Sequence, residues 1–476
     1  MAIQLVDHEG YIFDMQLRMP FHFANTTVTA IPHLFLAVDV DVSGETHRGV
    51  AAEGLSPVWF LKDTVPFDEG VDHMLAVVDH ALEVGRDIAA DTVFGFWRRL
   101  FAEQREWGDG TDHPPLLWSF GASMVERAVI DAYCRATETT FATAIAENTF
   151  GIEPGTIYDE LDGYEPADLL PAEPLSATAI RHTVGFTDPL VTDDVEATDR
   201  LDDGLPQSLV EYVREQGLTH FKIKLSGDAD RDADRLERIA AVLDSECDRY
   251  AFTLDANEQY GTAREFREQW ERMRERDGID EFLEHLLYVE QPLSRDDAFG
   301  AETASTFAEW DGPPLIIDES DGDIDSFGRA LSCGYIGTSH KGCKGVFRGV
   351  VNACLAEHRR RIDPTGGYVV SGEDLTTVGP VGLNQDLAVM GTIGTAHVER
   401  NGHHYFRGLS MFPEGVQRRL LASHDDLYRR HEDGFATVDI SDGAVDFDSV
   451  VAAPFGYGAA FDLSRFESVE EWADGR

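Results

Sequence analysis

Five short apolar runs between residues 218 and 344 each end on a charged side chain: FKIK (221–224), FTLDAN (252–257), LYVEQP (287–292), LIIDES (315–320) and GTSHK (337–341). Roughly 20–30 residues that mostly read as amphipathic helix separate consecutive runs, the repeat length of a strand–helix unit. Parallel strands that each deliver a reactive group from the C-terminal end predict a (β/α)8 barrel. The delivered groups are Lys, Asp, Glu, Asp and Lys. Three carboxylates flanked by amines point to a hard divalent cation lying between two bases.

Working outward, ATAIRHTVGF (177–186) supplies the first barrel strand and the five runs supply strands two to six. GYVVSGED (367–374) reads as the seventh strand, and the eighth falls around 395–406, where the pattern is least regular. Residues 1–172 lack the strand–helix repeat. Alternating stretches at 11–17 and 33–42 read as antiparallel strands. AAEGLSPVWFLKD (51–63) reads as a loop exposing Trp59 and Phe60, and helices are expected over 71–90, 94–106 and 123–136. The predicted class is therefore α/β. A (β/α)8 barrel over 173–412 carries an N-terminal α+β capping domain over 1–172, and a segment over 413–476 follows it.

The chain has 476 residues, 88 of them Asp or Glu against 39 Lys or Arg, for a net charge of −49. Such acidity repels nucleic acid and anionic membranes. With 43% apolar residues the chain can still bury a core, and acidity spread along its whole length is the pattern expected of adaptation to a high-salt cytoplasm. The N-terminus shows no secretion signal. Five cysteines without CxxC spacing read as free thiols of a reducing cytosol.

The lysines are informative because there are only five, and four of them, Lys222, Lys224, Lys341 and Lys344, fall in FKIK and HKGCK. Arg suits surface ion pairs, but it cannot give up a proton at usable pH; Lys can. Lys222 and Lys224 share one strand face. Side by side they are expected to lower each other's pKa, and a Lys at about 7–8 is a general base. Lys341 stands across the pocket, where it can serve the other face of a substrate.

Asp255, Glu290 and Asp318 are the expected metal ligands, because Mg²⁺ takes oxygen donors in near-octahedral geometry. Glu319, next to Asp318, is expected to point elsewhere. Asn257 is expected to hydrogen-bond a ligand carboxylate. Glu373 fits either a pocket-facing carboxylate or the cap of the following helix. His403 and His404 fit either structural histidines or substrate contacts. Residues 21–27 and 56–60, with Phe23 and Trp59, read as a cover over the pocket or as ordinary cap packing. The acidic runs GDADRDAD (227–234) and DGDIDSFG (321–328) lack the Glu of a calcium loop and read as capped helix turns.

KxK, DAN, VEQP, IIDES and the later Lys together resemble the enolase superfamily, in its mandelate racemase/muconate-lactonizing group and lactonizing-enzyme-like branch. The C-terminal DGAVDFDSVVAAPFGYGAAFDL resembles the closing segment that returns to the capping domain in that family. The resemblance implies Mg²⁺, with Mn²⁺ as a substitute, on Asp255, Glu290 and Asp318. It implies acid/base Lys224 and Lys341, a supporting Lys222, a small carboxylic-acid substrate and a homo-oligomer. The chemistry it implies is abstraction of an α-proton to give a metal-stabilised enediolate. Epimerisation, cycloisomerisation or β-elimination as in an acid-sugar dehydratase would follow. A non-catalytic metal- or ligand-binding member is the alternative from another class.

Overall fold

The computed structural model describes residues 2–23, 26–458 and 462–476, without the side chains of residues 21–23, 26 and 63. The alternating N-terminal stretches form a long antiparallel hairpin. Strands β1 (Ile3–Phe23) and β2 (Thr26–Val42) pair with Ile3 opposite Val42 and Phe13 opposite His33. Strand β3 (Glu45–Gly54) adds to the free edge of β2. Residues 51–54 thus belong to a strand and not to the expected loop. The small Gly49, Ala51 and Ala52 suit the close approach of a helix along this strand, where a Cβ on Gly49 would lie 2.1 Å from the Ala128 carbonyl oxygen.

Three helices cover this sheet: α1 (Phe67–Asp87), α2 (Val93–Asp109) and α3 (Pro115–Ala136). The last begins at Pro115, a residue suited to a first helical turn, well before the start expected near Ser123. Residues 116–134 are buried, so no polar stripe announces the helix in the sequence. Helix α3 also seats the cap on the barrel. Ser123 Oγ donates to the Gly342 carbonyl at 2.6 Å, and Glu126 accepts from the Val346 and Phe347 backbone amides at 3.1 and 2.7 Å.

His33 on β2 is fully buried, and neither ring nitrogen has a hydrogen-bond partner. Burial and then the Arg127 charge lower its pKa to about 3. Below pH 6.5 the unfolded chain therefore binds a proton that the folded chain refuses, so stability falls as pH falls. Relative to His33→Leu, the wild type is expected to lose about 1.4 kcal/mol per pH unit from pH 6 to pH 4. Denaturant titrations of both proteins across that range check it, and equal pH slopes would refute it.

Eight parallel strands form the closed barrel: β4 (Ala177–Val184), β5 (His220–Lys224), β6 (Ala251–Asp255), β7 (Leu286–Glu290), β8 (Leu315–Ile317), β9 (Gly337–His340), β10 (Val369–Gly372) and β11 (His397–Glu399). Each pairs with the next, and β11 closes on β4 with Glu399 opposite Arg181. The register aligns Lys224 with Asp255 and Asp255 with Glu290, so these strand-end charges lie at one level of the barrel mouth.

After the barrel, strand β12 (Ala444–Asp446) pairs antiparallel with β4, so this part of 413–476 extends the barrel sheet. The chain then reaches the cap, where β13 (Glu467–Ser468) pairs with β1 and the Trp472 indole donates to Asp14 at 3.3 Å. Among the described residues no helix is long and apolar enough to cross a membrane. The five cysteines are free thiols.

Candidate active site

The two-residue strand period aims Lys222 and Lys224 into the barrel mouth. Lys222 Nζ lies 3.0 Å from Asp255 Oδ2, 2.9 Å from Glu290 Oε1, 2.9 Å from Glu373 Oε2 and 3.0 Å from Glu399 Oε2. Lys224 Nζ donates to Asp255 Oδ2 and Asn257 Oδ1, both at 2.6 Å. On the other side, Lys341 Nζ donates to Asp318 Oδ1 and Glu373 Oε2, both at 2.7 Å. Lys224 and Lys341 thus bracket the row Asp255–Glu290–Asp318 at its two ends.

Glu373 faces the pocket and does not cap a helix. It bridges Lys222 and Lys341 through one oxygen and meets Arg181 Nη2 at 3.1 Å through the other. Arg181 and Glu399 complete this network and were not singled out in the sequence. Arg181 sits inside the barrel with no exposed surface, donating also to Ser371 Oγ at 2.8 Å and the Gly372 carbonyl at 3.1 Å. The Asn257 side chain does not reach an expected ligand carboxylate: its amide donates to Glu319 Oε1 at 2.9 Å, and only its backbone N–H donates to Asp255 Oδ1, at 2.9 Å. Three residues that follow β6 and β7, Asn257, Glu258 and Gln291, hold left-handed φ values of 38°, 67° and 40°. Such backbone is costly outside glycine and clusters at functional sites.

Burial, then the Asp255 and Glu373 charges, push the Glu290 carboxyl well above its usual range. Burial alone would raise Glu373 too, but Lys222, Lys341 and Arg181 outweigh it and hold Glu373 well below its usual value. Asp318 is held low in the same way by Lys341 and Lys344. The lysines depart from the sequence-based expectation. Burial lowers Lys222 and Lys341, yet the surrounding carboxylates win and raise both well above the usual lysine value. Their nearest charges are carboxylates gathered from five strands, not each other.

The donor set fits a hard divalent cation. Two of the three expected ligands, Glu290 and Asp318, can bring one oxygen each within 4.8 Å of one another together with Glu373, which stands in this group where Asp255 was expected; all three are buried. Glu290 Oε2 is buried without a hydrogen-bond partner, and all the donors are oxygens, as Mg²⁺ requires.

The cap contributes Trp59, whose ring stands 5.0 Å from Lys341 Nζ. Trp59 and Phe60 are buried in a short helix, Val58–Leu61, and are not exposed on a loop. Arg295 from the barrel pins them there, donating to the Phe60 and Trp59 carbonyls at 3.1 and 3.3 Å while it grips Glu258. His403 and His404 do not join the lysine–carboxylate network. His403 meets His182 at 3.1 Å and His404 meets the Tyr212 hydroxyl at 2.6 Å, in a cluster that Arg18 ties to the cap through the His404 carbonyl. Their neighbour His182 alternates with inward-facing Arg181, so it points away from the barrel interior. The Phe23 side chain lies outside the described residues. Of the acidic runs, the first is a helix cap as expected, with Asp228 accepting from the Asp230 and Arg231 amides.

A closed parallel barrel with amines and carboxylates gathered at the C-terminal ends of its strands, under an α+β cap, defines a class of barrel enzymes with the site at the strand ends. Residues 205–360 match the family described as enolase C-terminal domain-like. That segment, about a third of the chain, is similar to the barrel domain of the enolase superfamily. Similar solved structures include an enolase from Bradyrhizobium complexed with magnesium and mandelic acid, at 13% identity and TM-score 0.59 over 98% of this chain and 99% of that one. A muconate lactonizing enzyme from Pseudomonas fluorescens complexed with muconolactone is 15% identical, with TM-score 0.58 over 98% of both chains. A dipeptide epimerase from Enterococcus faecalis complexed with Mg and the dipeptide L-Leu-L-Tyr is 13% identical, with TM-score 0.58 over 96% of this chain and 99% of that one. At these identities the likeness is one of fold. No curated protein matches the sequence.

Proposed function

We propose that this protein is a divalent-metal-dependent enzyme that removes the α-proton of a small carboxylic acid and completes an isomerisation. The observation that carries the reading is the pair Lys224 and Lys341, bracketing the buried carboxylate row from two separate strands. Asp255, Glu290 and Asp318 would hold the cation, Mg²⁺ by preference with Mn²⁺ as a substitute. Bound there, it would supply Lewis-acid stabilisation of the charge that develops on the substrate carboxylate.

The chain's own residues account for the proton. One lysine Nζ takes the proton from the α-carbon, and the C–H electron pair moves into the carboxylate. The opposite lysine Nζ returns a proton to the other face. Lys222 supports both sides, because it touches Asp255 next to Lys224 and Glu373 next to Lys341. Trp59 and the Arg295 clamp cover the Lys341 side and exclude water from it. The ligands of the three similar structures, mandelic acid, muconolactone and a dipeptide, each carry a carboxylate, which supports that substrate class.

The test incubates the purified protein with Mg²⁺ in D₂O together with hydroxy acids, acid sugars, dipeptides and N-acyl amino acids, read by mass spectrometry. Deuterium gain without other change is the expected result, and it should vanish in Asp255→Ala. Loss of water instead would mark β-elimination. Turnover that survives Asp255→Ala, Lys224→Ala and Lys341→Ala would refute the site.

A further inference from the structure

Lys344 belongs to the sparse lysine set, yet the proton chemistry does not use it. It is buried on the 3₁₀ turn Gly342–Lys344 that follows β9, and its ammonium is saturated. Nζ donates to the Asp318 carbonyl at 2.8 Å, the Ser339 hydroxyl at 2.8 Å and the Ser339 carbonyl at 3.2 Å, and lies 2.9 Å from Asp318 Oδ1. Ser339 in turn donates its hydroxyl proton to Asp318 Oδ1, and Lys341 reaches the same atom at 2.7 Å. The side-chain hydrogen bonds and ion pairs described at Asp318 therefore all fall on Oδ1. Gln291 fixes the backbone of the same residue by accepting from the Asp318 amide at 2.7 Å.

Three donors converging on one carboxylate oxygen fix the rotamer, and the side-chain hydrogen bonds and ion pairs described at Asp318 leave the second oxygen unengaged. We propose that Lys344 and Ser339 are positioning residues that lock Asp318 so that Oδ2 is the atom offered to the cation. This rests on the reading of Asp318 as a metal ligand. Neither residue touches the substrate or the cation; both act through Asp318. Partners that orient a ligand in this way are commonly worth 10–100-fold in metal affinity.

A simple charge effect predicts the opposite sign for Lys344, since deleting a cation beside a metal site tightens metal binding. Mg²⁺ titrated calorimetrically into the full chain separates the two. Lys344→Met and Ser339→Ala are each expected to weaken Mg²⁺ binding by about 10–100-fold. Adding Lys344→Met to Asp318→Asn is expected to cost no further affinity, because the lysine acts through that carboxylate. Unchanged or tighter binding in Lys344→Met together with unchanged binding in Ser339→Ala overturns the proposal, while weak binding in Asp318→Asn leaves the metal reading standing. Absence of saturable Mg²⁺ binding in the wild type overturns both. If circular dichroism shows Lys344→Met unfolded, the neutral Ser339→Ala variant decides alone.

Discussion

Lys341→Ala is expected to lower the rate of α-proton transfer by about 10²–10⁴-fold, the usual contribution of a positioned general acid or base. Lys224→Ala is expected to fall in the same range. Lys224→Ala should keep its affinity for Mg²⁺, because it loses an amine and not an oxygen donor; Lys341→Ala also loses one of the three donors to Asp318 Oδ1 and is compared at saturating Mg²⁺. Single-turnover deuterium exchange with the substrate identified in D₂O measures the effect, and calorimetry confirms that the metal is retained. The two variants should differ in kind. Lys341 is almost fully buried against Asp318, Glu373 and Trp59, whereas Lys224 keeps 21% of its side chain exposed. Small primary amines added to the medium should therefore restore Lys224→Ala more readily than Lys341→Ala. Equal wild-type rates in both variants would remove the lysines from the mechanism.

Arg181→Met is expected to destabilise the protein by about 3–5 kcal/mol, because it leaves a buried carboxylate without its fixed cation. The guanidinium is fully enclosed by the barrel and grips Glu373, Ser371 and the Gly372 carbonyl. His397, held neutral with its pKa lowered to about 3 by burial and the Arg181 charge, accepts from Arg181 at 2.6 Å beneath it. The midpoint of guanidinium unfolding measures the loss. Arg181→Met combined with Glu373→Gln should recover part of it, since the double variant no longer buries a carboxylate oxygen, Oε1, that has lost its guanidinium partner. No recovery would show that Arg181 stabilises the barrel by packing alone.

The strand-end charges were legible because they follow a local rule. A strand that ends at the barrel mouth aims alternate side chains inward, so FKIK, FTLDAN, LYVEQP and LIIDES announce Lys222, Lys224, Asp255, Glu290 and Asp318 wherever the rest of the chain lies. Helix α3 was only partly legible, because a helix buried on nearly all sides has no polar face to mark its start near Leu116 and Leu117. Trp59 sat among Gly and Pro in sequence and read as exposed. Its burial depends on Arg295, distant in the chain, reaching its carbonyl oxygen.

Arg181 and Glu399 escaped notice for a different reason. Each follows unremarkable neighbours in a strand, and they become opposed only when β11 closes on β4. The sequence by itself determined the barrel, the cap and the identity of the strand-end groups, since periodicity and repeat length are local properties. Only the tertiary structure decided which amine meets which carboxylate, that Glu373 joins Lys222 to Lys341, and that the carboxylates around Lys222 and Lys341 raise both above the usual lysine value. Those outcomes depend on how many charges from separate strands converge within a few ångströms in a buried space, and no local pattern encodes that sum.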